Sequence, residues 1–190
     1  MPNNILISGY PGVGKTTLIK KIIENLNCKI DGFFTEEKKE AGKRTGFFIT
    51  DFHGNREILA HLDLKSPYQV GYYGVNVKAF EIIGIPALTR ALENADLIVI
   101  DEIGKMEMFS EKFCEILDNV FDSVKPVIAT IKAKDCKLTA NLKSREDVQL
   151  FHLTRKNRNE MVDNIQKEIE FLFQVIPNLQ GLANLEGFTK

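Results

Sequence analysis

The sequence predicts an α/β protein whose mainly parallel sheet carries helices on both faces. Three apolar runs typical of buried strands, "NILIS", "DLIVI" and "PVIATI", alternate along the chain with segments of amphipathic helical periodicity. A glycine-rich segment, "GYPGVGK", joins the first apolar run to the first helical segment. Strand-like runs follow that helix in close succession, and they predict an antiparallel meander inside the alternating chain.

The composition is that of a globular protein with one domain. The chain has 190 residues, of which 44% are hydrophobic and 27% are charged, and its net charge is −1. This balance does not favour a nonspecific binder of nucleic acid or membrane surfaces. Cys28, Cys114 and Cys136 lie far apart, which indicates reduced thiols rather than a disulfide framework or a zinc site. Because we find neither a signal peptide nor a membrane span, we expect a cytoplasmic protein.

The first strand and the first helix are predicted from short local patterns. The run "NILIS", residues 4–8, is apolar and β-branched, as expected of a buried strand. Apolar residues then recur at helical spacing from Leu18 to Leu26, which predicts an amphipathic helix that ends near Asn27.

The segment after that helix predicts an antiparallel meander. Three strand-like runs, "KIDGFFTEEKK", "TGFFITDF" and "REILAHL", are separated by the turn-like segments "EAGKR" and "HGN". We predict that "SPYQVGYYG", which follows, is a loop. Residues 76–94 predict two helices, or one helix broken at "GIP", because proline removes a helix donor.

The second half of the chain returns to alternation of strands and helices. The predicted order is strand "DLIVI", helix "EKFCEILDNVF", strand "PVIATI", short helix "CKLTANLK" and strand "VQLFHL". A long helix over residues 156–173 completes the pattern, with Thr154 as its N-cap. We assign residues 1–175 to this domain and residues 176–190 to a C-terminal tail.

A phosphate-binding loop is predicted between the first strand and the first helix. Residues 9–17, "GYPGVGKTT", match G-x-x-x-x-G-K-[ST] in the required strand–loop–helix context. The glycines let backbone N–H groups point at phosphate oxygens, and the positive end of the helix dipole adds to that attraction. The residues predicted to bind nucleotide here are Gly9, Tyr10, Pro11, Gly12, Val13, Gly14, Lys15, Thr16 and Thr17. Lys15 is expected to reach the β- and γ-phosphates and to act in catalysis, and the Thr16 hydroxyl to ligate Mg²⁺.

Two adjacent acids, Asp101 and Glu102, follow the buried run "LIVI". A phosphate-binding loop works with a second strand that brings an acid towards the magnesium ion, and Asp101 fits that role, through a metal-bound water. Glu102 is the candidate catalytic residue that accepts a proton from the attacking water or orients it. The strand-like runs between the two motifs, the Asp-Glu pair and the lack of N-K-x-D favour the RecA/AAA-like half of the P-loop class over the GTPases.

Longer sequence blocks resemble one particular family. "GYPGVGKTTL", "GFFTEE…RTGF", "YGVNV…IPAL", "DEIGKMEMFS" and "LTRKNR" occur in the order of the small P-loop nucleoside-triphosphatases, which include thermophilic and human cancer-related members. The resemblance covers about residues 3 to 173. It implies a RecA-like domain with an added antiparallel hairpin, and slow Mg²⁺-dependent hydrolysis of several nucleoside triphosphates to diphosphate and phosphate.

The resemblance also extends to single residues. It assigns the phosphate loop to residues 9–16 and the acidic strand end to Asp101 and Glu102. Lys105 matches a lysine of the family block and would neutralise phosphate charge, whereas Met108 stands where leucine is commoner. Arg155 and Arg158, at the start of the last helix, are candidates for contacts with the base or the phosphates. The alternative for both arginines is a solvated helix start.

Two acids and three histidines give weaker indications of a functional role. Glu36 and Glu37 end the run "GFFTEE", where the family resemblance implies a position near the nucleotide; the alternative is a charged turn. His53, His61 and His152 share no metal-binding spacing, and we interpret them as structural or surface residues.

These observations predict a nucleoside-triphosphatase with broad base preference, acting on ATP, GTP, CTP and UTP with Mg²⁺ as its cofactor. We expect a monomer rather than an oligomer, with no stable nucleic-acid or membrane partner. Two alternatives stay open. One is a nucleoside or nucleotide kinase, which usually needs an arginine-rich site for the acceptor. Only three arginines occur late in this sequence: Arg145, Arg155 and Arg158. The other is a nucleotide-dependent binding switch that docks partners through the meander and the tail.

Overall fold

One nine-stranded sheet organises residues 3–175, the part of the chain that the computed structural model describes. The predicted tail, residues 176–190, lies outside the described residues. The strands are β1 Asn4–Gly9, β2 Ile30–Glu40, β3 Lys43–Asp51, β4 Arg56–His61, β5 Gln69–Val70, β6 Tyr73–Val75, β7 Leu97–Ile103, β8 Val127–Lys132 and β9 Val148–His152. The helices are α1 Lys15–Ile23, α2 Val77–Asn94, α3 Glu111–Phe121, α4 Lys137–Lys143 and α5 Arg158–Val175.

The sheet has a parallel half and an antiparallel half. Its strand order is β5-β6-β4-β3-β2-β7-β8-β1-β9. From β2 to β9 every neighbouring pair is parallel, and from β2 to β5 every pair is antiparallel. Strand β2 belongs to both halves, since it pairs with β7 on one side and β3 on the other. The predicted fold class is therefore confirmed, and the inserted hairpin is a lateral extension of the central sheet.

Alternating side chains of the central strands point to opposite faces of the sheet, and each face has its own hydrophobic core. Ile5 and Ile7 of β1 pack with apolar residues of α1 and α5, whereas Leu6 packs with residues of α2 and α3 on the opposite face. This is the arrangement expected when buried strands are apolar on both sides. Helices therefore cover both faces, as predicted. No helix in residues 3–175 is both long and apolar enough to cross a lipid bilayer.

Helix α2 runs without interruption through Pro86, so the predicted break at "GIP" is wrong. Proline at this position cannot donate to the carbonyl of Ile82, one turn earlier. Both Pro86 and Ile82 are exposed, so the unpaired carbonyl lies on the solvent side of the helix, where water can bond to it. The buried side of α2 keeps its hydrogen bonds.

The segment predicted as a loop, "SPYQVGYYG", contains a small hairpin formed by β5 and β6. Gln69 pairs with Gly74, Val70 pairs with Tyr73, and β6 continues the sheet beside β4. Strands of two and three residues are too short to show a periodicity of two in sequence. Pairing with β4 stabilises them instead.

Two helix boundaries also differ from expectation. Helix α1 ends at Ile23 rather than near Asn27, and Leu26 packs on the core from the turn beyond it. Helix α5 begins at Arg158, so Thr154 is not its N-cap. The Thr154 hydroxyl instead accepts a hydrogen bond from the Asn157 N–H at 3.3 Å and closes the turn before the helix.

Candidate active site

The site lies at the edge of the sheet where the parallel strands end. Strand β1 stops at Gly9, directly before the phosphate loop, and β7 carries Asp101 and Glu102 towards the same edge. Strand β8 lies between β1 and β7 and pairs with both. Ligands of open α/β sheets bind at this carboxyl edge.

The backbone of the loop requires glycine for two different reasons. Gly12 and Gly14 have φ angles of 74° and 106°, which side-chain-bearing residues rarely adopt, although a Cβ there would contact nothing within 4 Å. Gly9 is limited by space instead. A Cβ on Gly9 would lie 2.9 Å from Val13 Cγ1 and 3.0 Å from the carbonyl oxygen of Leu153.

Helix α1 presents its amino end to the loop. Its N-cap is Gly14, which supplies no capping side chain, and no acid lies in the first turn. The first N–H groups of the helix are thus left for another acceptor, and they coincide with the positive end of the helix dipole. This is a site that favours anions such as phosphate.

Lys15 and Glu102 meet across this loop. The Lys15 side chain is only 6% exposed, and its Nζ donates to the carbonyl oxygen of Gly9 at 3.2 Å. The Glu102 carboxylate is 31% exposed, and its Oε2 lies 3.4 Å from Lys15 Nζ. The two predicted catalytic side chains are therefore in contact, one buried beneath the loop and one open to solvent.

Asp101 is buried next to Lys15 and Glu102, with 1% of its surface exposed. Burial raises the pKa of its carboxyl group to about 6, while hydrogen bonds from the hydroxyls of Thr130 and Thr16 act in the opposite direction. Thr130, on β8, donates to Asp101 Oδ1. Asp101 Oδ2 has no well-formed hydrogen bond to any described residue.

This buried oxygen fits a magnesium site. Asp101 Oδ2 and the Thr16 hydroxyl are hard oxygen donors that lie together below the loop. Among residues 3–175 no group of three or more His, Cys, Asp or Glu side chains is placed to hold a metal. Mg²⁺ needs no such group, because it takes one or two protein ligands and completes its shell with phosphate oxygens and water.

A bulge in β7 brings the two adjacent acids to the same place. Ile100 pairs with Ala129 and Ile103 with Ile131, so two residues of β7 face the single residue Thr130 of β8. In a regular strand, neighbouring side chains would point to opposite faces. A bulge redirects side chains locally, and here Asp101 contacts Thr130 while Glu102 contacts Lys15.

Three other residues predicted to bind nucleotide, Lys105, Tyr10 and Arg155, lie at the surface around the phosphate loop and the end of β7. Lys105 is exposed in the loop after β7 and forms no ion pair with a described residue. Tyr10, with 71% of its surface exposed, and Arg155 border a pocket of about 240 Å³ beside the phosphate loop. The full lining is Tyr10, Pro11, Val13, His152, Leu153, Thr154 and Arg155.

Two other acidic candidates are already paired with basic neighbours. Glu36 lies 2.6 Å from Lys20 Nζ and 3.2 Å from the Arg56 guanidinium. Glu37 lies 2.7 Å from the Arg44 guanidinium. Glu36 therefore links the meander to α1, whereas the partner of Glu37 lies within the meander.

Arg145 lies far from the phosphate loop. Its guanidinium lies 2.7 Å from Asp122 and 2.8 Å from Asp147, just before β9 begins. Val148, the next residue, pairs with Asn4 at the start of β1, so Arg145 is at the amino edge of the sheet. It therefore joins α3 to β9 and does not form an acceptor site for a kinase.

Sequence reasoning missed two residues next to the acids. Thr130 is a polar residue inside the apolar run "PVIATI", which was a detectable signal. Glu107 lies in a one-turn 3-10 helix, Glu107–Phe109, and is 4% exposed. Burial, and then the charge of Glu102, raise the pKa of Glu107 to about 8. In the sequence, the one indication that Glu107 is buried is its place between two methionines, in "KMEMF".

Comparisons with known proteins point to one family. A sequence model of the family described as NTPase matches residues 4–166. The nucleoside-triphosphatase THEP1 of Thermotoga sp. (strain RQ2) is 51% identical over 167 residues, which are 88% of this chain and 95% of that protein. The human cancer-related nucleoside-triphosphatase is 35% identical over 181 residues, covering 87% of this chain and 95% of that protein.

Solved structures give the same result. The crystal structure of THEP1 from Aquifex aeolicus has a TM-score of 0.79 and 41% identity, covering 85% of this chain and 96% of that chain. The solution structure of the human cancer-related nucleoside triphosphatase has a TM-score of 0.73 and 34% identity, with 87% and 96% coverage. The family match, the close relatives and the shared fold agree, and the chain therefore belongs to the NTPase family.

Proposed function

We propose that this protein hydrolyses nucleoside triphosphates to the diphosphate and phosphate, with Mg²⁺ and with broad base preference. The observation that carries the proposal is the contact between Glu102 and Lys15 at the mouth of a phosphate-binding loop. It joins the group that would accept a proton from water to the group that would hold the phosphates.

The chain's own residues supply positioning and charge. The N–H groups of the loop and of α1 hold the phosphate oxygens, and the Lys15 ammonium group neutralises charge between the β- and γ-phosphates. Water attacks the γ-phosphorus, the bond from that phosphorus to the bridging oxygen breaks, and Glu102 takes the proton of the water. The diphosphate leaves with the electron pair of the broken bond.

Thr16 and Asp101 are the residues that would hold Mg²⁺. When bound, the ion would neutralise charge on the β- and γ-phosphate oxygens. Asp101 suits this role because its buried Oδ2 has no well-formed hydrogen bond within the described chain and Thr130 orients the other oxygen.

Broad base preference is supported by the pocket beside the loop. Tyr10 and Arg155 are both exposed there and offer flat surfaces on which a base can stack. Stacking on aromatic or guanidinium groups tolerates any base, because every base has a π-face. Strict selection would instead require buried polar groups that match one base edge.

The test is phosphate release from ATP, GTP, CTP and UTP, with and without Mg²⁺, by the wild type and by Glu102→Gln. We expect release from all four nucleotides with Mg²⁺. Because Glu102→Gln removes the proton acceptor but keeps the shape, hydrolysis should fall by about two orders of magnitude while nucleotide binding is retained. Glu115→Gln makes the same change at an exposed carboxylate of α3 and should be as active as the wild type.

Three results would contradict the proposal. A normal rate in Glu102→Gln would remove Glu102 from the mechanism, and release without added metal would remove the Mg²⁺ requirement. Negligible release that rises with one nucleoside or nucleotide acceptor would identify a kinase, with Glu102 acting on the acceptor hydroxyl. The assay should therefore include a panel of nucleosides and nucleoside monophosphates.

A further inference from the structure

Glu107 is a buried acid without a basic partner among the described residues. It is 4% exposed, and none of the ion pairs within residues 3–175 includes it. Apolar side chains, those of Met106 and Phe109, lie beside it in the chain and pack on the core. Burying a carboxyl group is costly, and an apolar residue would fill such a place more favourably. Core stability therefore does not account for Glu107.

The contacts of Glu107 lead to the loop that follows Glu102. Glu107 Oε2 accepts a hydrogen bond from the N–H of Gly104 at 3.1 Å. Gly104 is buried and stands two residues after Glu102. The carbonyl oxygen of Glu107 accepts from the Ser110 N–H at 3.0 Å, at the N-cap of α3. One residue thus ties the loop to a helix of the core.

The side chains of Glu102 and Glu107 both lie near the α-carbon of Gly104. The position of a Cβ on Gly104 would be 2.7 Å from Glu107 Oε2, 3.5 Å from Glu102 Cγ and 3.6 Å from Glu102 Oε1. The Glu102 side chain therefore lies beside the glycine whose N–H Glu107 holds. A shift of Gly104 would displace the carboxylate of Glu102.

We propose that Glu107 is a positioning residue that fixes the Glu102 carboxylate in front of the phosphate loop by holding the backbone of Gly104. This inference rests on the proposed function, because it assigns to Glu107 the placement of the group that accepts the proton from water. Glu107 does not touch the substrate. A misplacement of about 1 Å at a catalytic group lowers rates by about a hundredfold, so a single backbone hydrogen bond is sufficient for this role.

The experiment compares Glu107→Leu with Glu107→Gln in steady-state phosphate release and thermal unfolding. In Glu107→Leu the acceptor is lost, so kcat should fall at least about tenfold while KM stays within about threefold of the wild type. The unfolding temperature should stay close to that of the wild type, because removing a buried acid stabilises the fold while the unpaired N–H of Gly104 opposes that gain. In Glu107→Gln the amide oxygen can accept the same N–H, and kcat should stay within about threefold of the wild type.

Gly104→Ala tests the same contact from the other side. Its methyl group would lie within 3 Å of Glu107 Oε2, at 2.7 Å, so it should also lower kcat with little change in KM. This variant decides the question if Glu107→Leu does not fold. Glu115→Gln, at an exposed position of α3, is the control that should change neither kcat nor the unfolding temperature.

The outcomes separate this inference from the proposed function. A folded Glu107→Leu, or a folded Gly104→Ala, with the kcat of the wild type would overturn the positioning role and leave the proposed function intact. Equal losses of kcat in the Leu and Gln variants would also overturn it, since the hydrogen bond would then be irrelevant. A wild-type protein that releases no phosphate would overturn both.

Discussion

At the scale of single residues, the site combines groups that are buried to different degrees. Lys15 and Asp101 are buried, whereas Glu102 is partly open to solvent. A buried lysine under a phosphate loop is held in place before substrate arrives, since the Gly9 carbonyl and the Glu102 carboxylate both contact its ammonium group. The partly exposed carboxylate of Glu102 can still meet water.

Lys15→Ala should abolish phosphate release and weaken nucleotide binding. The variant loses the ammonium group that would pair with the β- and γ-phosphates, and it leaves Glu102 without its cation. Phosphate release and equilibrium binding of ATP measure the two effects. Lys21→Ala, which removes an exposed lysine from α1, is the matched control. Turnover equal to the wild type in Lys15→Ala would rule out the assigned site.

At this scale a sequence motif specifies residue type and spacing. Lys15, Thr16, Asp101 and Glu102 were named from local patterns, and the structure places all four at one edge of the sheet. Glu107 could not be assigned in this way. Its environment depends on the fold of the loop around Gly104, and no local spacing encodes that fold.

At the scale of elements, the low helix propensity of Pro86 opposes the tertiary packing that keeps α2 continuous. Pro86 removes one hydrogen bond, yet buried residues on the other side of the helix, including Ile83 and Leu88, hold it continuous against the sheet. Tertiary packing contributes more to most helices than intrinsic propensity does. The predicted break followed from propensity alone.

Pro86→Ala should therefore stabilise the protein. Alanine can donate to the Ile82 carbonyl, and proline in a helix interior is less favourable than alanine by about 3 kcal/mol. The greater flexibility of the unfolded chain with alanine offsets part of this, by about 1 kcal/mol. A rise in the free energy of unfolding, measured by chemical denaturation, is expected. Thr89→Ala, at another exposed position of α2, provides a reference, and equal or lower stability of Pro86→Ala would contradict the argument.

At the scale of the whole molecule, the buried acids couple stability to pH. Burial raises the pKa of Glu107 from 4.5 to about 8, so the folded state keeps a proton that the unfolded chain releases within that interval. Where the folded state binds more protons, stability falls as pH rises. Glu107 therefore makes the protein less stable at the upper end of this interval than at its lower end.

Replacing the acid should remove this dependence. Relative to the wild type, Glu107→Gln should become progressively more stable as pH rises from about 5 to about 8, by at most about 1.4 kcal/mol per pH unit. Chemical denaturation of both proteins across that range measures the difference. The contribution of Asp101 is common to both proteins and cancels. A stability difference that stays constant with pH would show that Glu107 has the same pKa in the folded and the unfolded chain.

The sequence by itself determined the strands and helices of the parallel half and the phosphate loop. It also determined the two adjacent acids, Asp101 and Glu102, that follow the apolar run of β7. These features depend on periodicities of 2 and about 3.6 residues and on motifs of fixed spacing, all of which act over a few neighbouring positions. The family resemblance added the hairpin and the nucleoside-triphosphatase activity.

Only the tertiary structure decided the remaining features. The position of β8 between β1 and β7 and the bulge opposite Thr130 follow from pairing between distant segments. The hairpin of β5 and β6 is itself local, but it joins the sheet only through the pairing of β6 with β4. The burial of Glu107, whose neighbours Met106 and Phe109 pack on the core, and the continuity of α2 through Pro86 likewise depend on packing against the rest of the fold. The physical reason is that hydrogen-bond pairing and burial are properties of residues brought together from far along the chain, whereas propensity and periodicity are properties of neighbours.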